Sequence, residues 1–378
     1  MTPAGVYIHI PFCSSRCSYC DFATGLYQHG LADKYVQALI KEITLAPESG
    51  RLCAFDTVYF GGGTPSLLSP SQLERILAAL RDSFKIDSQA EITMEMNPGS
   101  VTAENLSDFR SLGINRASFG AQTFDDAELA RLGRSHTSAD TFNTLRDLRN
   151  SDFDNVSFDL IAGLPGQSLA RWEVNVAKAL RLQPEHLSFY LLEVHAGTPL
   201  AEHIQRGLQP QPDDDLAAEM YASMLESATA AGYEHYEISN LCLSGFPSRH
   251  NTKYWTGAPY YGFGCSSHSY DGLTRRWSNE RDITRYIEAI EGSASAVVEQ
   301  HELTKDEIRA EAVFLGMRMM SGVNARQYRE SFGIDLRDEH AGDLMRFQEA
   351  GLVEFDGDLI KLTRAGALLS NEVFAAFV

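Results

Sequence analysis

The chain has 378 residues, 44% of them hydrophobic and 22% charged, and carries a net charge of −19. This is the balance of a soluble globular protein of two or three domains, or of one α/β barrel with a small appendage. The acidic surface, with no Lys/Arg block, argues against nucleic acid as a partner. No apolar run reaches the roughly 18–20 residues of a membrane span, and the N-terminus lacks a secretory signal, so a cytoplasmic protein is expected, with peripheral membrane contact left open.

Strands are expected at Val6–Ile10, Thr57–Phe60, Ile92–Met96, Asn115–Phe119, Val156–Ile161 and Leu187–Leu192. Amphipathic helices are expected between most of them, at Lys34–Thr44, Gln72–Phe84, Ala103–Leu112, Ala139–Asn150 and Leu169–Leu180, with a short helix near Asp125–Leu132. Such alternation predicts βα units around a parallel sheet: an α/β fold, either a partial (β/α)6 barrel or a doubly wound sheet. A helix follows at Asp214–Ala230, and residues 233–300 are mixed and rich in Tyr, Trp, Gly and His. Beyond residue 302 the pattern changes to helices at Lys305–Met320, Ala325–Phe332 and Leu336–Ala350 and strands at Leu352–Phe355 and Leu359–Leu362. That is the pattern of a small winged-helix-like α+β appendage without a basic recognition helix. The expected division is a barrel over 1–240, an accessory segment over 241–301 and a C-terminal unit over 302–378.

Six cysteines occur, and Cys13, Cys17 and Cys20 fall within eight residues, directly after the first strand. Clustered thiols in a long chain point to metal or redox work rather than to disulfides. Thiolates suit a [4Fe–4S] cluster and zinc alike. A structural zinc ion needs a fourth ligand, for which His9 or Asp21 is available. Ligand type alone leaves the two readings level. Cys53 and Cys242 read as structural.

Further polar positions follow later strands: Gly61-Gly62-Gly63-Thr64-Pro65, Glu95, Arg116, Ser118, Gly120, Gln122, Arg134 and Asp159. The glycines suit close backbone approach to a ligand, or simply a turn. A carboxylate within an apolar strand requires a partner. Together these residues form a polar ring of the kind a ligand site needs.

Cys-x3-Cys-x2-Cys after the first strand, with Tyr19 before the last cysteine, resembles the radical-SAM superfamily. The whole series is similar to its coproporphyrinogen III dehydrogenase branch over roughly residues 4–300. The resemblance implies that Cys13, Cys17 and Cys20 hold a [4Fe–4S] cluster whose open iron is chelated by S-adenosylmethionine (SAM), which is then cleaved to a 5′-deoxyadenosyl radical. It further implies that Tyr7, Gly62 and Glu95 contact the cluster-bound SAM. Tyr19, Gly63, Thr64, Gln122, Arg134 and Asp159 match positions that contact a SAM, in some cases a second one. Arg134 would pair with a carboxylate and Asp159 would accept ribose hydroxyls.

Within that branch, three features resemble the HemW heme chaperones rather than the dehydrogenase. Cys13 leaves no room for the dehydrogenase's long N-terminal extension. Phe22 stands where the dehydrogenase has a fourth cysteine. His250-Asn-Thr-Lys-Tyr254-Trp255 matches the chaperones' His-Asn-x-x-Tyr-Trp motif. A neutral imidazole is a good axial ligand to heme iron, and the resemblance assigns that role to His250; without it, an aromatic cluster around a hydrogen-bonded histidine is the plainer account. His268 is a weaker heme candidate, and Cys265 either ligates heme or is simply buried, burial being the plainer account. The expected function is binding of heme and its delivery to acceptor hemoproteins, membrane respiratory enzymes among them, with an electron donor for the cluster. SAM cleavage is expected to be within its reach. Porphyrinogen decarboxylation is the alternative, followed by another radical-SAM reaction such as methylation, and last by structural zinc.

Overall fold

A computed structural model describes residues 2–46 and 53–378. Six strands succeed one another in parallel: β1 (Ala4–Ile10), β2 (Ala54–Gly62), β3 (Lys85–Met96), β4 (Arg116–Gln122), β5 (Val156–Ala162) and β6 (His186–Leu191). Helices cross between them: α1 (His29–Thr44), α2 (Pro70–Ser83), α3 (Ala103–Leu112), α4 (Ser138–Asn150) and α5 (Leu169–Arg181). Helix starts are set locally. Ser69 and Gln72 form a reciprocal capping box before α2, as do Thr137 and Asp140 before α4, each satisfying amides that the first turn leaves open.

The partial (β/α)6 barrel expected from the alternation is present, but the sheet is wider. It has twelve strands, adding β7 (Glu234–Glu237), β8 (Asn240–Cys242), β9 (Tyr260–Phe263), β10 (His268–Tyr270), β11 (Arg275–Asn279) and β12 (Val297–Glu302). Their order is β12-β11-β10-β9-β1-β2-β3-β4-β5-β6-β8-β7, which is open. β9 lies parallel to β1 on the side away from β2, so seven strands run in parallel. The mixed stretch from 233 therefore forms part of the main sheet.

Strand alternation divides the two faces. Val6, Ile8, Val58, Phe60, Ile92, Met94, Phe119, Phe158 and Phe189 are buried in one apolar cluster. The same cluster holds helix residues Leu39, Leu73, Ile76, Phe109, Leu148 and Trp172, so the apolar side of the sheet packs on the helices. The alternate positions are polar: Tyr7, Tyr59, Glu95, Arg116, Ser118, Asp159 and Ser188. These line the hollow of the curved sheet.

The C-terminal region builds its own small sheet from Val323–Asn324, Leu359–Leu362 and Val353–Asp356. A second apolar cluster holds it, including Met317, Tyr328, Phe347 and Ile360. The long helix expected over Leu336–Ala350 is broken at His340 into Leu336–Glu339 and Ala341–Glu349, because His340 leaves helical geometry at φ −118°, ψ 30°. No helix among the described residues is long and apolar enough to cross a membrane.

Candidate cluster and cofactor site

The loop after β1 carries Cys13, Cys17 and Cys20, all free and partly exposed. It is fixed from three sides. Gly63 N donates to Ile10 O (2.8 Å) and Thr64 N to Phe12 O (2.7 Å), tying it to the glycine turn after β2. Ser18 N donates to Leu132 O (2.9 Å), and Leu200 N donates to Ser18 O (2.9 Å). Glycine is needed at two of these contacts. A Cβ on Gly63 would meet Phe12 O at 2.6 Å, and Gly62, at φ +111°, would meet the His9 ring at 2.6 Å.

Two of the thiols are joined by a polar chain. Thr64 Oγ1 donates to Cys13 Sγ (3.7 Å) and accepts from Asn97 Nδ2 (2.8 Å). Asn97 Oδ1 accepts from Arg134 Nη2 (2.7 Å), and Arg134 Nη1 donates to Cys17 Sγ (3.4 Å). Arg134 Nη2 also donates to Gly120 O (2.7 Å). Asn97 is the centre of this chain, and sequence reasoning missed it. Its only signal was its place two residues after Glu95, just before a proline. Burial opposes the charge of Arg134, but Tyr19 and Cys17 outweigh it, so the guanidinium is held above its usual range. Burial likewise raises the Cys13 and Cys20 thiols, and a metal ion reverses that preference by binding the thiolate.

The proposed fourth ligands of a zinc site are engaged elsewhere. His9 Nε2 bonds Ala23 O (3.0 Å) and its Nδ1 bonds the Tyr7 hydroxyl (3.1 Å). Asp21 is exposed and faces Arg281 at 3.6 Å. Among the described residues, no three His, Cys, Asp or Glu side chains converge as they would on one ion. Three thiols on one loop can each serve a different iron of a cluster.

Glu95 closes the other side of the glycine turn. Its Oε1 accepts from the Tyr59 hydroxyl (2.8 Å) and its Oε2 from Gly62 N (3.1 Å). Burial, helped by Asp159, pushes its carboxyl up to about 7. Burial raises Asp159 too. Gln122, at the end of β4, has φ +63°, a strained conformation for a residue with a side chain, and a Cβ on the neighbouring Gly120 would meet its amide at 2.3 Å and Arg134 at 3.0 Å. Tyr19 packs against Leu132, Ile161 and Leu164. Of the residues expected to meet SAM, Gly62, Glu95 and Gln122 lie at the C-terminal ends of strands and Gly63 and Thr64 directly follow one, while Tyr7 and Asp159 are at mid-strand.

His250 adjoins this group through Tyr7 and Tyr59. It is buried on a short helix, Arg249–Trp255, one layer beneath, stacked on Tyr59 (5.1 Å between centroids) and Tyr7 (6.4 Å). Both ring nitrogens are engaged: Nδ1 with Thr57 Oγ1 (2.9 Å) and Nε2 with the Tyr254 hydroxyl (2.9 Å). Burial, with Lys253 nearby, pushes its pKa down to about 3, so it is neutral. His268 is exposed; Cys242 and Cys265 are buried and Cys53 is partly exposed.

The chain resembles known proteins over nearly its whole length. The Radical SAM superfamily model matches residues 7–177 and the HemN C-terminal domain model residues 303–369. The chain is 37% identical to the heme chaperone HemW of Bacillus subtilis (strain 168), covering 98% of each protein. It is 34% identical to the heme chaperone HemW of Lactococcus lactis subsp. lactis (strain IL1403), over 100% of this chain and 97% of that one. Among solved structures, coproporphyrinogen III oxidase (HemN) from Escherichia coli, a radical SAM enzyme, shares the fold with a TM-score of 0.86 at 23% identity, over 99% of this chain and 90% of that one.

Proposed function

Because the chain belongs to the HemW family of radical-SAM proteins, we propose that it is a heme chaperone that holds a [4Fe–4S] cluster and SAM, binds heme and passes it to acceptor hemoproteins. The observation that carries this reading is the end-to-end likeness, at 37% identity, to a relative bearing that name. In this reading residues 1–240 form the barrel, 241–301 carry the heme motif and 302–378 form a C-terminal unit.

Cys13, Cys17 and Cys20 would hold three irons of the cluster, leaving one for SAM. When bound, the cluster supplies the electron for cleavage of the sulfonium C–S bond. The rest is done by this chain's own groups. Glu95, already aimed at the glycine turn, receives the amino group of SAM beside Gly62 and Tyr7. Arg134 keeps donors free after bonding Cys17, Asn97 and Gly120 and takes the SAM carboxylate. Asp159, Gln122, Tyr19, Gly63 and Thr64 enclose the remainder. His250, neutral and bonded to Thr57 and Tyr254, would be the residue that holds heme iron, with Nε2 available to it only where the Tyr254 hydroxyl is displaced. The electron donor and the acceptors, membrane respiratory enzymes among them, dock on the outside.

Titration of anaerobically prepared protein with hemin tests the reading. A Soret band that changes in His250→Ala is expected; an unaltered spectrum removes His250 as the ligand. Incubation with coproporphyrinogen III, SAM and a reductant separates chaperone from dehydrogenase. Protoporphyrinogen formation with many turnovers would replace the proposed function by the enzymatic one.

A further inference from the structure

The cluster, SAM and heme assignments leave a cavity of the molecule unused. It measures about 350 Å³, within the range of small-molecule pockets. Its walls are β9, β10 and β11, the last turn of α1 and the link from residue 294 into β12. Tyr261 and Phe263 share the outer apolar cluster with Val6 and Ile8, their register partners in β1, and Trp277 packs against that cluster. The cavity therefore lies on the helix side of the sheet, not in its hollow.

Three aromatic side chains line it: Tyr261, Phe263 and Trp277. At its α1 wall stands the half-buried Glu42. The Glu42 Oε1 accepts from Asn279 Nδ2 (2.6 Å), and its Oε2 from Gly264 N (2.8 Å) and the Tyr286 hydroxyl (2.6 Å). Three neutral donors thus fix the carboxylate, and one of its roughly four lone-pair positions is left over, on Oε1. Among the described residues no cation forms an ion pair with it. Burial pushes its carboxyl up to about 7, and no positive side chain draws it back. Two other charged groups line the cavity. Asp271 spends its Oδ1 on the backbone of Leu273 (2.8 Å), Thr274 (3.1 Å) and Arg275 (3.1 Å). Arg275 is exposed, and its charge is not among the influences on Glu42.

We propose that this cavity binds a small organic ammonium ion, with its charged end at Glu42 and its apolar body against Trp277, Tyr261 and Phe263. Aromatic faces and a carboxylate both favour a cation. A bare metal ion would find too few oxygens among these walls, whereas an alkyl or aryl body suits them. The inference goes beyond the heme-chaperone reading and does not depend on it.

Isothermal titration of the full-length protein, anaerobically reconstituted and saturated with SAM, tests this with three probes of one size: phenethylamine, phenethyl alcohol and hydrocinnamate. The amine is expected to bind at least about tenfold more tightly than the alcohol, and the acid to give no saturable heat. Glu42→Gln keeps the shape, removes the charge and should bring the amine down to the affinity of the alcohol. Val297→Trp stands at the cavity's exposed rim, leaves the bonds of Glu42 in place and should weaken the amine by about tenfold through filling the mouth. Equal affinity for amine and alcohol in the wild type, saturable binding of the acid, no saturable heat from the amine, or an unchanged amine affinity in Val297→Trp overturns the inference. Hemin titration of the same samples should be unaffected by Val297→Trp, so that a failure here is told apart from a failure of the chaperone reading.

Discussion

The Arg318 guanidinium lies 4.1 Å from the centre of the Trp255 ring. It also reaches Glu237 Oε2 at 3.3 Å, a carboxylate with a fully buried side chain. Trp255 closes the histidine helix, and Arg318 ends the first helix of the C-terminal region, so this contact ties the two together. Backbone bonds reinforce it, from Ile238 N to Arg318 O (3.1 Å) and from Met320 N to Tyr236 O (3.0 Å). Arg318→Ala leaves Glu237 buried without its cation and removes the contact with the indole face, so a loss of about 2–3 kcal/mol is expected. Urea denaturation checks this, and Arg318→Lys should restore only part.

Cys17→Ser removes one thiolate from the loop. Anaerobic reconstitution of the wild type should give a brown protein with about four irons per chain, and the variant a nearly colourless one. Iron analysis together with the visible spectrum is the measurement.

Asn97 aims Arg134 and Thr64 at once. Asn97→Ala should leave iron content unchanged while weakening SAM binding about tenfold, the usual cost of losing a bond to a charged group. Equilibrium dialysis with the reconstituted protein separates the two effects.

Glu95 titrates near 7 in the folded chain, so it becomes a full counter-charge for the SAM amino group only above that pH. SAM affinity should rise by about tenfold between roughly pH 6 and 8 and be flat in Glu95→Gln. The effect on stability has the opposite sign. The folded value is raised above 4.5, so the contribution of this carboxyl to stability of the unliganded protein is full below pH 4.5 and is lost as pH rises through about 7.

His250 is displaced the other way. Its folded pKa of about 3 lies below the ordinary 6.5. Its contribution to stability is therefore present above pH 6.5 and lost as pH falls toward 3, at about 1.4 kcal/mol per unit. Denaturation curves of wild type and His250→Gln should converge over that window. Tyr254→Phe frees Nε2 and should tighten heme binding several-fold if His250 is the ligand; hemin titration reads this directly.

Local pattern revealed the six alternating units, because apolar period and helix signals agreed there. It revealed the cysteine loop, the glycine turn and Glu95 because each stands out against an apolar strand. β9 stayed hidden: four residues, Tyr260–Phe263, are too few for a period, and their pairing with β1 joins segments some 250 residues apart in sequence. Asn97 and Arg116 look like ordinary polar residues until their neighbours are known. The motif containing His250 was legible, but the hydrogen bonds from Thr57 and Tyr254 that occupy its ring depend on tertiary packing.

The hollow of the sheet is lined with hydroxyls, carboxylates and an arginine, while the greasy contacts that keep the chain folded lie on its outer side beneath the helices. Adhesion and chemistry are therefore carried by opposite surfaces of the same strands. An inward residue such as Ser118 can be exchanged without disturbing the layer that Phe60, Phe119 and Phe158 hold shut. A scaffold arranged in this way can change what it carries and remain the same fold.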